Sequence, residues 1–461
     1  MVDHIGQELT LVANRVGPLA HRQNHPRMVP RLGLRRYSAR VAPPETRLAV
    51  VLDVGSANPF EIATAARGLA TPVFVCDARS EYVQKTLPAI QAVWEVCDIT
   101  GCDDEEAARR LAAHEPAGIA TFSEYQLGRT ARLALACGLP FHTPGVVDLL
   151  TDKSAQRERL ASSGVQQTRS ALLRGVEDLA PAAARVGFPA VVKPRQGAGS
   201  RDTTRVDDEA ELRLAVGAPL AAGQQFVLEE LLVGSPDGRD PRWGDYVSVE
   251  SVNTADAVHH VCVTGKFALS PPFRETGMML PAPLSEPLAQ QALDLTGRAL
   301  RALGVRHGVT HTELKLTADG PRIIEINGRV GGYVGEILQR ATRFSLAAAA
   351  VRDALGLPVE IPELALDGVT YQYFLAPPQG RWSLQDLGDV EPLRQLPGVR
   401  RVEIRAEAGQ LLDSALGTES LLGVVYGKAA DFDELERIVD EIRRRFQPRY
   451  APVDTAAVSL A

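Results

Sequence analysis

The chain has 461 residues, 45% hydrophobic and 23% charged, with 50 basic residues against 57 acidic ones and a formal net charge of −7. This length buries a core without disulfide or zinc staples and suggests about two to four domains. The composition excludes a mainly disordered chain, the charge balance excludes an obvious nucleic-acid binder, and no apolar run of about 18 residues offers a membrane span.

Segment 1–46 reads as a basic N-terminal arm rich in Arg, Pro and His, with a short strand near Leu9–Val16. It is either a tail without chemistry or a cap on a neighbouring domain or subunit. Asp3 and Glu8 lie where a signal peptide would carry its apolar core, which predicts a cytoplasmic protein. From Arg47 the texture changes. Leu48–Leu52, Pro72–Cys76 and Gly118–Phe122 are short apolar runs, and they alternate with helical stretches opening at Pro59 and spanning Leu127–Cys137. Buried strands alternating with helices predict a Rossmann-like parallel sheet over 47–150. Asp53-Val-Gly-Ser lacks G-x-G-x-x-G, so no dinucleotide site is expected there. The five cysteines, Cys76, Cys97, Cys102, Cys137 and Cys262, show no C-x-x-C spacing and read as free thiols.

A second unit begins near Thr151. Ser154–Ser163 is helical, Ala190–Lys193 is a strand ended by Pro194, Gly197-Ala-Gly-Ser200 is a flexible loop, and Thr203–Val206 returns. Phe226–Leu232 is a further apolar segment carrying Glu229 and Glu230. The strand Tyr246–Val252, a surface strand with His259 and His260, and the helix Ala289–Leu303 follow. Thr312–Leu316 and Arg322–Asn327 form a hairpin around Ala318-Asp319-Gly320, and Ser345–Leu355 is helical. From Val369 onward, strand-like and helical runs alternate as in a small α+β subdomain.

The hairpin carries the sharpest chemical prediction. With the turn centred on Asp319, Glu313 faces Glu325 and His311 faces Asn327. Period-2 alternation then puts Glu313, Glu325 and Asn327 on one face, and Leu314, Leu316, Ile324 and Ile326 on the other. Facing residues hold their Cβ atoms about 4.5–5.5 Å apart, so two carboxylates there need a cation. Carboxylate and amide oxygens are hard ligands suited to Mg²⁺ or Mn²⁺, and a pair of ions bridged by carboxylate and phosphate fits this face. His311 reads as a packing residue behind it. Only six of the 50 basic residues are lysine, so a lysine at a motif position carries weight. Lys193 ends a buried strand beside the glycine loop, whose backbone N–H groups can approach a phosphate. Lys153 is a second phosphate candidate or a surface residue at a helix start.

Taken in order, Asp152-Lys153, Gly187-Phe-Pro-Ala-Val-Val-Lys193-Pro, Glu229-Glu-Leu-Leu, Ser248-Val-Glu, Glu313, Glu325-Ile-Asn-Gly-Arg329 and Gly331-Gly332 resemble the ATP-grasp superfamily in its carboxylate–amine ligase branch. The resemblance covers about 47–445. It implies an α/β chain of α+β lobes: an ATP-grasp fold with a small lobe (151–228) and a large lobe (229–365), preceded by the Rossmann-like domain and followed by a C-terminal α+β subdomain (366–461). It implies ATP as co-substrate and Mg²⁺, two ions or Mn²⁺ in their place, on Glu313, Glu325 and Asn327. Lys153 and Lys193 would contact phosphates under a flap of Gly197, Ala198, Gly199 and Ser200. Glu229 would accept from the adenine amino group, with the backbones of Glu230 and Leu232 completing that contact. Arg329 would act with Lys193 on the transferring phosphoryl group.

Thr264-Gly-Lys-Phe, Pro272-Phe-Arg-Glu275-Thr-Gly-Met278, Pro281-Ala-Pro and His307-Gly-Val-Thr-His-Thr-Glu313 are similar to the L-amino-acid ligases, which join two amino acids. That resemblance implies Glu275, Met278, Arg329, Gly331 and Gly332 near amino-acid-like substrates, and a homodimer, with no nucleic-acid or membrane partner. Two departures stand out. Met278 occupies the place of a family histidine, and Tyr246 occupies that of an acid, leaving Asp245 as the ribose candidate. Glu275 either holds a substrate ammonium or lies at the cleft rim, and Lys266 is either a cleft cation or a solvated strand residue. The alternatives are a γ-glutamyl-type or specialised-metabolite amide ligase, a bicarbonate-activating carboxylase type, and an ATP-binding module without catalysis.

Overall fold

The computed structural model describes residues 46–453; the basic arm and its expected strand near Leu9–Val16 lie outside the described residues. Strands β1 (Arg47–Val51), β2 (Thr71–Cys76), β3 (Glu95–Asp98) and β4 (Gly118–Ala120) pair in parallel, in the order β3-β2-β1-β4. The sequence pattern does not announce β3. It is an edge strand with only Cys97 buried, so it carries no apolar run. Alternation splits β1 between two cores: Leu48 and Val50 face one, Ala49 and Val51 the other. Helices α1 (Pro59–Ala66) and α2 (Glu81–Gln91) cover the first; α3 (Asp104–Ala112) and α4 (Leu127–Cys137) cover the second. Asn58 starts α1 with a capping box closed by Glu61.

Two helices, α5 (Pro144–Thr151) and α6 (Lys153–Ser162), lead into the second sheet and share Asp152. Its Oδ1 accepts from the N–H groups of Ser154 and Ala155, which fixes where Lys153 enters α6. The second sheet is antiparallel, in the order β5 (Ser170–Leu173), β8 (Phe226–Glu230), β6 (Ala190–Pro194), β7 (Thr204–Val206). Helices α7 (Leu179–Val186) and α8 (Glu209–Ala221) close its core.

The third sheet organises the molecule. The chain adds β9 (Tyr246–Asn253), β10 (Val258–Lys266), β11 (Gly277–Leu280), β12 (Val309–Thr317), β13 (Gly320–Asn327), β14 (Val369–Leu375), β15 (Arg381–Asp386), β16 (Val399–Ile404), β17 (Leu411–Asp413), β18 (Gly423–Ala429) and β19 (Arg449–Pro452). Eight of them form one sheet, in the order β13-β12-β9-β10-β11-β14-β18-β16. The C-terminal strands therefore do not stand apart: β14 pairs with β11 and carries the sheet onward, and only β15, β17 and β19 make a small sheet of their own. Helix α9 (Glu286–Leu303) packs on the face away from the acidic residues, over Val247, Val249, Leu314 and Leu316. Helices α10 (Val334–Thr342) and α11 (Leu346–Ala354) wedge the other face against the first sheet, in one core running from Leu48 to Phe374. A short α12 (Glu391–Arg394) and α13 (Phe432–Arg445) complete the C-terminal part. Among the described residues no helix is long and apolar enough to cross a membrane.

Candidate active site

The β12–β13 hairpin places Glu313 opposite Glu325 and His311 opposite Asn327. The predicted turn is off by half a step. Thr317 pairs with Gly320 around the two residues Ala318 and Asp319, and a bulge after Glu313 restores the pairing at the acids. In consequence Ile323, not Ile324, joins Leu314, Leu316 and Ile326 in the core.

The neighbouring strand β9 buttresses this acidic face. His311 lies opposite Glu250, with Nδ1 2.9 and 3.0 Å from its two oxygens and Nε2 3.3 Å from Glu313 Oε1. Glu250 is fully buried and also accepts from Ser248 Oγ at 2.8 Å. Burial alone would lower the His311 pKa, but Glu250 raises it to about 9. Burial alone would raise that of Glu313, but the hydrogen bond and charge of His311 bring it down to about 2. His311 thus does more than pack: it holds a carboxylate in place. Gly331 is required beside it, because a Cβ there would lie 2.4 Å from His311 Nδ1.

Across from the acids lie the cations. Lys153 Nζ sits 3.1 Å from Glu325 Oε1 and donates to the carbonyl of Gly197 at 2.8 Å, so it ties the acidic hairpin to the glycine loop. Arg195, at the start of that loop, donates to Asp152 Oδ2 at 2.8 Å. Lys193 is buried, 2.9 Å from Glu229. Glu229 also receives Arg157 Nε at 3.0 Å and Nη2 at 3.1 Å. Burial would raise its pKa; the two cations instead lower it to about 2. This corrects the expected role of Glu229. Its side chain is committed to Lys193 and Arg157 rather than open to an adenine amino group, because alternation on β8 turns it inward. Burial pulls Lys193 below its ordinary value, since it shares Glu229 with Arg157. Glu230 points outward, paired with Arg169 at 3.0 Å and Arg322 at 2.9 Å, and its N–H already donates to the Arg169 carbonyl at 2.9 Å. Leu232 lies two residues after β8, half-buried. Asp245 is held by Lys315 at 2.7 Å.

On the far side of the acidic hairpin, Arg329 Nε lies 3.0 Å from Glu124, whose side chain is 9% exposed. Burial raises the Glu124 pKa, with Arg329 acting against it. Lys266 is buried and donates to Glu275 at 2.7 Å. It is not a solvated strand residue. Met278 departs from its expected substrate-facing place. It is fully buried in the core with Val330, Val334 and Phe374, because β11 lies mid-sheet under α10. Gly332 is exposed in the loop before α10. Tyr333 follows, with its hydroxyl bonded to Arg405, which in turn donates to Glu403 Oε1 at 2.7 Å. His260 is no plain surface residue either: it is half-buried, its Nδ1 2.9 Å from Ser251 Oγ.

Arg157, Glu124 and Arg405 escaped sequence reasoning. Arg157 had a signal, four residues after Lys153 on one helix face. Tyr246 is buried with no partner for its hydroxyl among the described residues, and shares a sheet face with Ser248 and Glu250. Glu124 and Arg405 had none, since they meet their partners only through tertiary structure. Together the site opposes carboxylates to lysines beside a glycine loop, which suits a polyphosphate bound with a hard cation. Among the described residues no three His, Cys, Asp or Glu side chains form a metal cage. Glu313, Glu325 and the amide-bearing Asn327 are the hairpin side chains that would hold such an ion.

No family model matches the chain. In sequence it is similar to the uncharacterized protein y4rH of Sinorhizobium fredii, 26% identical over 310 residues, covering 66% of this chain and 62% of that one. It is 30% identical over 288 residues to carnosine synthase 1 of Homo sapiens, covering 56% and 34%. The chain thus spans less than two thirds of the length of these curated relatives. In fold it is similar to the L-amino acid ligase of Bacillus licheniformis, with a TM-score of 0.71 and 22% identity over 89% of this chain and 100% of that one. It is also similar to an Aspergillus clavatus carboxyaminoimidazole ribonucleotide synthase solved with ATP, with a TM-score of 0.66 and 18% identity over 87% and 99%. Fold and sequence likeness together relate the chain to ATP-grasp ligases of the carboxylate–amine type.

Proposed function

We propose that the chain is an ATP-dependent ligase that joins the carboxylate of one amino-acid-like substrate to the amine of another. The observation that carries this reading is the convergence on one cleft of Glu313, Glu325 and Asn327, the lysines Lys153 and Lys193, the glycine loop and Arg329. In this reading a substrate carboxylate oxygen bonds to the γ-phosphorus of ATP as the bond to ADP breaks, giving an acyl phosphate. The amine nitrogen then bonds to the acyl carbon, phosphate leaves, and the amine's proton passes to solvent or phosphate.

The chain's residues position reactants and neutralise charge, since phosphoryl transfer asks for little covalent help. Lys193, held by Glu229, and Lys153, held by Glu325, face the phosphates. Glu313, Glu325 and Asn327 would hold Mg²⁺, one ion or two, which when bound offsets charge on the phosphates. Arg329, fixed by Glu124, faces the phosphoryl group in transfer. Glu275, oriented by Lys266, is an acid for a substrate ammonium. A closed glycine loop excludes the water that would hydrolyse the acyl phosphate.

The test is phosphate release with ATP and Mg²⁺ over a matrix of paired amino acids, with mass detection and Glu325→Ala as control. Release that needs two particular amino acids, with a product one water lighter than their sum, supports the reading. The fragments then tell an α-linked from a γ-linked product. ATP binding without release under any pair overturns it.

A further inference from the structure

The glycine loop is held from a distance. Asp202 N–H donates to the Ala415 carbonyl at 3.0 Å, and Thr418 N–H donates to the Gly199 carbonyl at 3.0 Å. Arg201 pairs with Glu419, 218 residues later. All three partners lie in one turn, 414–420, between β17 and β18. Gly417 makes the closest approach. It sits at φ 63° and ψ −136°, and a Cβ there would lie 2.0 Å from the Gly199 oxygen. Backbone meets backbone here, which only glycine permits.

The turn is anchored independently of the loop. Ser414 is buried; its N–H donates to Gly380 O at 3.1 Å and its hydroxyl accepts from Gly380 N–H at 2.9 Å. Ser420 Oγ closes the turn on Gly417 O at 2.9 Å. The loop, by contrast, strings together Gly197, Gly199, Ser200 and Asp202, all at positive φ. Such a conformation persists where surroundings impose it. Lys153 braces the loop at Gly197, and the 414–420 turn braces it from Gly199 onward.

We propose that the 414–420 turn is a clasp that positions the glycine loop over the nucleotide phosphates, with Gly417 and Glu419 as positioning residues for ATP. The proposal rests on the nucleotide reading of the site. It gives the C-terminal part of the chain a part in nucleotide binding, although it contributes none of the candidate nucleotide ligands.

The experiment uses the full chain. Hydrogen exchange reads the amides of Asp202 and Thr418, and calorimetry with MgADP reads nucleotide affinity without requiring ligase chemistry. Glu419→Arg, on an exposed side chain, sets two guanidiniums together. It is expected to speed exchange in both segments and to weaken MgADP about two- to fivefold, the scale of an exposed ion pair. The swap Arg201→Glu with Glu419→Arg is expected to restore both. Gly417→Ala forces the segments apart and is expected to weaken MgADP at least about tenfold. In turnover, the KM for ATP rises while the KM of the other substrates holds. Wild-type affinity and exchange in Glu419→Arg and Gly417→Ala overturn the clasp. A wild-type chain that binds no MgADP overturns the nucleotide reading itself, and the clasp with it.

Discussion

The nucleotide and substrate halves of the proposed site are built by different means. The nucleotide half is made of short-range pieces: a helix start with Lys153, a hairpin with Lys193 and the glycine loop, and a second hairpin with Glu313 and Glu325. The substrate half is assembled from four distant segments: Glu124 after β4, Lys266 and Glu275 around β10 and β11, Arg329 after β13, and Arg405 after β16. Apart from the glycine loop, which the 414–420 turn holds, the first half uses geometry that a hairpin or a helix turn enforces by itself. The second depends on how the sheets come together, so its residues can change without disturbing the nucleotide machinery.

The largest expected effect tests the nucleotide half. Glu229→Gln leaves Arg157 and Lys193 buried without their carboxylate, which costs about 3–5 kcal/mol of stability, measured by denaturant unfolding. A loss under about 1 kcal/mol means that water or backbone already screens these cations. Glu325→Ala comes next. It removes an oxygen ligand and the partner of Lys153, and phosphate release is expected to fall about 100- to 1,000-fold with the fold intact. Equal loss in Glu124→Gln would blur the line between the halves, since that variant is expected to raise substrate KM and leave MgADP affinity unchanged.

His142 tests the support behind the substrate half. It is buried beside His307 and borders a small cavity with Gly328 and Arg329. Burial, reinforced by His307, lowers its pKa to about 4. The neutral ring therefore contributes stability that is present above the unfolded value of about 6.5 and lost as pH falls toward 4. Between pH 8 and pH 4 the loss from this group is about 3 kcal/mol, and His142→Gln should flatten that part of the stability profile. The smallest effect is at Arg405. Arg405→Ala frees the Tyr333 hydroxyl and is expected to reduce kcat/KM for the amino-acid substrates about tenfold, with MgADP affinity unchanged. A matching loss of MgADP affinity would show that the two halves are coupled.

Much of the nucleotide half was legible because local periodicity carries it. Alternation along two strands places Glu313, Glu325 and Asn327 on one face whatever the rest of the chain does. The bulge after Glu313 was not legible, and the acids still came out opposed because bulge and turn offset one another by one residue. Lys153, Lys193, Lys266 and Lys315 pair with Glu325, Glu229, Glu275 and Asp245. The role of Glu229 was misread, because its direction depends on Lys193 across the sheet and Arg157 on another element. Met278 was misread for the same reason: a residue's place in a motif does not tell which helix covers it.

By itself the sequence determined the alternating first sheet, the acidic hairpin and the lysine beside a glycine loop, because each follows from periods of 2 and 3.6 residues and from local turn chemistry. Tertiary structure alone decided that Glu124 meets Arg329, that Arg405 meets Tyr333, and that Gly417 seats against Gly199. Those contacts join segments far apart in the chain. No spacing rule reaches across such separations, and only the packing of the four sheets brings the groups within bonding distance.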